Sequence, residues 1–380
     1  MLTIRYCQTK FPWLITGTAN EPEIDKDTID WFFENSYDQD LGWSPKPFNS
    51  GEDNTDDGIK KYTINKNGAR YNPNFEEKSS NIAVFGDSFA FGRLVNDDET
   101  WPHLLSKKMN TNVLNYAVGN YGLDQAYLRL KREIKTLESD IIIMSVVPET
   151  ISRIHSYWKH YFEYGNTLAF KPIFQLRNDE LFLHEQFIRD KESFKKISQK
   201  GENIRSLDYF YESKFLKDIL KFPYTFNLLR TKDRSIPIII EILKGEIFKN
   251  REEAYRAAFK IVIDRNAEHT ARLYQSENHL KLLLRLAKEF VNLCETNDKR
   301  PIFLFSPQPI DLQRMNKGKN DYHIAFKKIS SFTEAIDLSI PLMSYDSFKE
   351  FYIEGSLGPH FSIKGNSVSA DFISEYLETN

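Results

Sequence analysis

Only two cysteines occur in the 380 residues, Cys7 and Cys294, and they are far apart and outside any CxxC pattern. That spacing excludes both a disulfide-stapled secreted scaffold and a thiolate metal site, and it fits a reducing compartment. Long apolar runs are also missing. The N-terminal stretch is broken by Arg5, Gln8, Lys10 and Pro12 before a leader-type apolar region can form, and "IPIIIEILKGEIF" meets Glu241 and Lys244 well short of a membrane span. Charge of one sign is missing too, because 51 basic residues face 54 acidic ones with no block of like charge. A nucleic-acid partner therefore has no electrostatic footprint. No GxGxxG, Walker A or EF-hand sequence is present, and His155 and His160 have no third ligand nearby. No cofactor and no metal is therefore expected. The expectation is a globular, cytoplasmic protein without a membrane span, 41% hydrophobic and long enough for a substantial core.

What is present changes character along the chain. Residues 1–78 are polar and rich in turn formers, yet carry Trp31, Phe32, Phe33, Trp43 and Tyr62. They read as an extended arm whose aromatics cover a core. From residue 79 the pattern alternates: strand "NIAVF", helix "DETWPHLLSKKM" capped by Asp97 or Asp98, strand "NVLNYAV", helix "LDQAYLRLKREIKTL" and strand "DIIIMSVV". Continuous apolar strands between amphipathic helices predict a parallel sheet covered on both faces. A stretch at about 165–298 interrupts the rhythm with a hairpin at "FKPIFQLRNDELFLHEQ" and polar helices, and reads as an insertion, a lid or platform. Its last helix is predicted to start at a Ser276 cap and to lead into the strand "RPIFLFSPQP". A strand at "IPLMSYDS", the loop "IEGSLGPHFSIKGN" and the helix "SADFISEYL" complete the 79–380 domain.

The functional crevice of an open parallel sheet lies outside the carboxyl ends of its strands, which is where "NIAVFGDSFAFG" delivers Ser88. Gly86 permits the sharp turn, and the amides that follow favour a developing negative charge. A serine hydroxyl needs a base and an oxyanion site before it attacks anything. The alternative at this point is that Asp87 and Ser88 only cap a turn. His360, in "GPHFSIKGN" ahead of the last helix, is the candidate base. The aromatics Trp158, Tyr161, Phe162 and Tyr164 are either sugar-stacking platforms or core.

These blocks, "VFGDSFAFG", "NYAVGNYGLDQ", "IIIMSVVPET" and "GPHFSIKGN", resemble in order and spacing the SGNH (GDSL-type) hydrolases. The resemblance covers about 81–153 and 300–380. It implies a three-layer α/β/α sandwich on a flavodoxin-like sheet, with Ser88 as nucleophile and oxyanion donor and His360 as general base. Three positions depart from the family pattern. The aspartate usually found three residues before the histidine is replaced by Leu357, so a Ser-His dyad oriented by a backbone carbonyl is expected. The second-block glycine falls on Asn120, beside Gly119, and either can donate to the oxyanion. The third-block asparagine falls on Glu149, whose charge would oppose an oxyanion unless it is protonated in an apolar pocket, faces the substrate instead, or, the favoured expectation, pairs with Arg153 one helical turn on. The implied activity is an esterase removing an acyl group, such as acetyl, from a carbohydrate, as in surface-polysaccharide pathways. The alternatives are an O-acyltransferase acting on a polysaccharide or its precursor, and a catalytically silent binding protein. In each case the expected partner is an acylated small molecule or glycan.

Overall fold

The computed structural model of the chain describes residues 2–355 and 358–380. It divides into two compact units: one holds residues 44–154, 174–182 and 270–380, the other residues up to 43 with 155–173 and 183–269. The boundary at Trp43–Ser44 thus falls inside the 1–78 segment.

The first unit carries the sheet. Its strands are β1 (Ile82–Gly86), β2 (Val113–Asn115), β3 (Ile141–Val146), β4 (Arg300–Phe305) and β5 (Glu334–Asp337). All pair in parallel, in the order β2-β1-β3-β4-β5. This is the flavodoxin-like order, and it places the topological switch point between β1 and β3. Every residue of β1 is buried, as expected of a strand covered on both faces. Ile82 and Val84 of β1, with Ile143, Ile302 and Ile336, point to one face, where Trp101, Leu105, Ala370 and Ile373 complete a core. Those last four residues lie on the helices α2 (Trp101–Met109) and α6 (Ile363–Thr379). The other face is covered by α3 (Leu123–Glu133) and α5 (Glu277–Glu295), which pack on each other and on the strands. The result is the three-layer α/β/α sandwich.

Several local expectations are corrected. Helix α2 is capped by Thr100, whose extended backbone lets its hydroxyl accept from His103 N–H. Asp97 instead accepts from Arg70 Nε at 2.8 Å. At α5, Ser276 occupies the cap position, but its hydroxyl pairs with His279 Nδ1 rather than a backbone amide. The strand predicted at "IPLMSYDS" is absent: Ser339–Leu342 is helical, and the edge strand is the four-residue β5 just before it. Pro341 has no N–H to give a ladder. His360 lies on a two-residue strand, His360–Phe361, paired antiparallel with Tyr352–Ile353 rather than in a loop. Helix α6 begins at once behind it, because Ser362 caps the Gly365 amide at 3.2 Å. Residues Ser50–Thr55 and Gly58–Thr63 form an antiparallel hairpin that apolar patterning had not revealed.

In the second unit, Phe32 packs edge-on to Phe194 and Phe33 stacks on Tyr37. The hairpin predicted near 170–186 is present as the strands Ile173–Arg177 and Glu180–His184, with residues 174–182 belonging to the first unit. Buried Asp208 accepts the amides of Tyr157, Trp158 and Phe210, while burial pushes its carboxyl up to about 7. Both cysteines are free and buried. Among the described residues no helix is long and apolar enough to cross a membrane.

Candidate active site

Strand β1 ends at Gly86, where a Cβ would lie 2.1 Å from the Ser145 carbonyl of β3, so no other residue fits without moving the sheet. The chain then turns into the short helix α1 (Ser88–Phe91). Asp87 starts it, with one carboxylate oxygen accepting from Phe89 N–H at 2.9 Å and the other from Val147 N–H at 2.8 Å. One side chain thereby ties the end of β1 to the end of β3. As the first residue of the helix, Ser88 has no intrahelical acceptor for its N–H.

The far end of α1 is held with equal care. Gly92 closes it in a left-handed conformation (φ 83°). Buried Arg70 donates to the carbonyls of Phe91 and Val95, both at 2.7 Å, as well as to Asp97. Asn115, at the end of β2, donates to the Ala90 carbonyl at 2.8 Å and accepts from Ala117 N–H at 3.1 Å. The loop after β2 continues along β1, with Val118 N–H on the Gly86 carbonyl at 3.0 Å. That path carries Gly119 and Asn120 to the same end of the sheet as Ser88. Asn120 adopts φ 69°, a region in which asparagine and glycine are the tolerated residues.

The loop after β3 supplies Glu149 and α4 (Thr150–Arg153). Arg153 is buried and donates to Glu149 Oε2 from Nε at 3.1 Å and from Nη2 at 2.9 Å. Its Nη1 donates to the Tyr121 carbonyl at 3.0 Å and stands 3.6 Å from Asp87 Oδ2. One guanidinium therefore joins the loops that follow β1, β2 and β3. The Glu149–Arg153 pairing anticipated from their spacing is present.

The His360–Phe361 strand packs against α1. The imidazole lies over Phe89, ring centroids 5.0 Å apart, while Asn366 Nδ2 donates to the Phe361 carbonyl and its Oδ1 accepts from Trp101 N–H. His360 Nδ1 is 3.1 Å from the Gly358 carbonyl. A carbonyl only accepts, so Nδ1 bears the hydrogen and Nε2 carries the lone pair, the tautomer a general base requires. Leu357, where the family pattern has its aspartate, lies outside the described residues. Burial, and secondarily the positive charges of Arg93 and Arg153, push the imidazole down to about 4, although the Gly358 contact opposes this. Among the described residues no hydrogen bond joins Ser88 Oγ to the imidazole.

Arg93 escaped the sequence reading. Its guanidinium would touch a Cβ placed on Gly119 at 3.4 Å, lies over the rings of Phe91 and Tyr62, and pairs with buried Asp53 at 2.7 Å. The other Asp53 oxygen accepts from Leu94 N–H at 3.2 Å. Leu94 sits at φ 67°, an unfavourable conformation for a branched residue. Asp53 thus holds Arg93 beside the second block. The only hint in the sequence was that Arg93 directly follows the nucleophile block. The aromatics considered as sugar platforms are buried instead: Trp158 stacks on Phe170 at 4.8 Å and spends its indole N–H on the Thr167 carbonyl. His160 Nδ1 accepts from Gly165 N–H. Among the described residues no cluster of metal-ligating side chains is found.

The class defined by this architecture is the doubly wound α/β protein with a constellation at its switch point. No family model matches the chain, and no curated protein sequence does. Among solved structures, one match is a Desulfitobacterium hafniense DCB-2 protein described as a lipolytic protein of the G-D-S-L family. It is 12% identical with a TM-score of 0.34, over 77% of this chain and 97% of that one. A likeness so loose says nothing of chemistry.

Proposed function

We propose that the chain is a serine esterase of the SGNH type that removes an acyl group, such as acetyl, from a carbohydrate. Ser88 Oγ attacks the acyl carbonyl while His360 Nε2 takes its proton. The carbonyl oxygen becomes an oxyanion facing the N–H groups of Ser88 and Gly119 and the amide of Asn120. Collapse breaks the C–O bond to the sugar, whose oxygen takes the proton back from the imidazolium, leaving an acyl-Ser88 that water hydrolyses by the same route. Glu149, neutralised by Arg153, no longer opposes the oxyanion.

The observation that supports this reading is the packing of the His360–Phe361 strand on α1, the helix that Ser88 opens, with the imidazole Nδ1 committed to the Gly358 carbonyl. A backbone carbonyl does here what the aspartate of a triad does, fixing the tautomer. The test is reaction with a fluorophosphonate followed by intact mass. One adduct is expected on the wild-type chain and none on Ser88→Ala; absence of labelling on both would leave the fold catalytically silent. A carbohydrate substrate rests on the family resemblance alone. Release of acetate from acetylated sugars, with and without a second sugar as acceptor, separates hydrolysis from transfer.

A further inference from the structure

The helix Lys232–Phe248 is apolar on two opposite faces. One face is accounted for: Ile238 and Ile242 are buried in a core with Ile4, Cys7, Leu14 and Ile15. The other bears Ile236, Ile240 and Ile247, spaced four and seven residues apart on one stripe, with Ile247 71% exposed and Phe248 beyond it 75% exposed. The preceding helix, Tyr224–Arg230, also turns apolar side chains to water: Phe226 and Leu229, three residues apart, are 68% and 65% exposed, and Phe222, just ahead of the helix, is 75% exposed. Scattered surface hydrophobes are ordinary, but two consecutive helices with stripes in helical register facing water are not.

The charge beside these stripes selects the occupant. Residues 221–251 contain seven Lys and Arg, one of them the buried Arg234 paired with Asp218, against three Asp and Glu, in a chain whose net charge is −3. Glu241 and Glu246 are already paired, with Lys244 and Arg251. Lys221, Lys232 and Lys249 are exposed and make no ion pair among the described residues. A two-fold contact with a second copy would set this cationic surplus against itself. An anionic lipid surface satisfies both features, taking up Phe, Leu and Ile at the acyl boundary while lysines meet the headgroups. We propose that the helices Tyr224–Arg230 and Lys232–Phe248 form a docking face for an anionic bilayer surface, on which the protein lies without crossing it.

The test is co-sedimentation of the full chain with vesicles of phosphatidylcholine alone or with about 30% phosphatidylglycerol, at about 0.1 M and about 0.5 M salt. Binding is expected with phosphatidylglycerol and is expected to fall at the higher salt. Replacing Lys221, Lys232 and Lys249 together by Gln should weaken it about 100-fold, since each basic group near such a surface contributes about fivefold. The triple change Phe222→Ser, Phe226→Ser, Ile247→Ser should weaken it at least about tenfold. All six side chains are solvent-exposed, so thermal unfolding should be unchanged and the loss cannot be laid to misfolding. Ser88→Ala should bind as wild type, keeping this result separate from the esterase reading. Failure to bind either vesicle, or binding indifferent to both triple variants, would overturn the proposal. So would a wild-type dimer that the serine triple dissociates and that ignores vesicles, because a second copy would then be the occupant.

Discussion

Replacing Arg153 by Met removes a buried guanidinium that joins three strand-end loops. In the wild type it makes two charge-assisted hydrogen bonds to Glu149 Oε2 and one to the Tyr121 carbonyl, with Asp87 Oδ2 at 3.6 Å. Methionine fills the volume but leaves the Glu149 carboxylate and the Tyr121 carbonyl without that partner. Breaking a buried pair from one side costs about 3–5 kcal/mol. With a urea dependence of about 3 kcal/mol per molar, the unfolding midpoint should fall by about 1–1.7 M. The freed carboxylate also reaches the reaction: at about 4 Å from an oxyanion and an effective dielectric near 20 it opposes the developing charge by about 4 kcal/mol, or about a thousandfold in kcat. Glu149→Gln removes that charge. The double variant Arg153→Met/Glu149→Gln should therefore be more stable and more active than Arg153→Met alone, with a coupling of about 2 kcal/mol in a double-mutant cycle followed by urea unfolding and by ester turnover. Additivity of the two single changes to within about 0.5 kcal/mol in both assays would refute the claim that Arg153 acts by neutralising Glu149.

The pH dependence follows from His360. Burial lowers its folded-state value to about 4, below the ordinary histidine range, so neutral imidazole is stabilised. Its contribution to stability is present above the unfolded value near 6.5 and is lost as pH falls through about 4. The acid limb of kcat/KM should accordingly break near 4, and Arg93→Gln, which removes a charge that lowers the imidazole value, should move that break upward. A break near 6.5 in the wild type would count against a buried base. Asn120→Gly preserves the left-handed backbone without its side chain; a loss of about 10²–10³ in kcat assigns the oxyanion donor to the side-chain amide, whereas retained turnover assigns it to the backbone. Arg70→Met removes the guanidinium donors from the Phe91 and Val95 carbonyls and breaks the ion pair with Asp97, and should cost about 3–5 kcal/mol in urea unfolding. An unchanged midpoint would show that α1 does not depend on Arg70.

The parts of this fold that were legible in sequence are those written by local pattern. Strands β1, β3 and β4 are continuous apolar runs, and α2, α3 and α5 carry single stripes, so the parallel sheet and its two helical layers could be anticipated. Strand β5 could not: its four residues, Glu-Ala-Ile-Asp, have no distinctive composition, and it is a strand only because β4 offers it an edge. The hairpin at 50–63 was hidden for a related reason. Its order comes from polar contacts with the segment that follows α1, such as Lys61 N–H on Asn96 and Asp53 on Arg93, and polar contacts leave no periodic trace.

The same division runs through the candidate site. Ser88, His360 and the Glu149–Arg153 spacing were visible because a strand-turn-helix, a motif and a helical turn are short-range features. What orients them is long-range: Gly358 for the imidazole, Arg70 and Asn115 for α1, Asp53 for Arg93, and Arg153 reaching both Asp87 and Tyr121. Sequence by itself determined which residues form strands and helices and where a nucleophile could emerge, since backbone sterics and hydrophobic periodicity act over a few residues. Only the tertiary structure decided which buried polar group satisfies which, because every such partner must be found across the fold once water has been excluded.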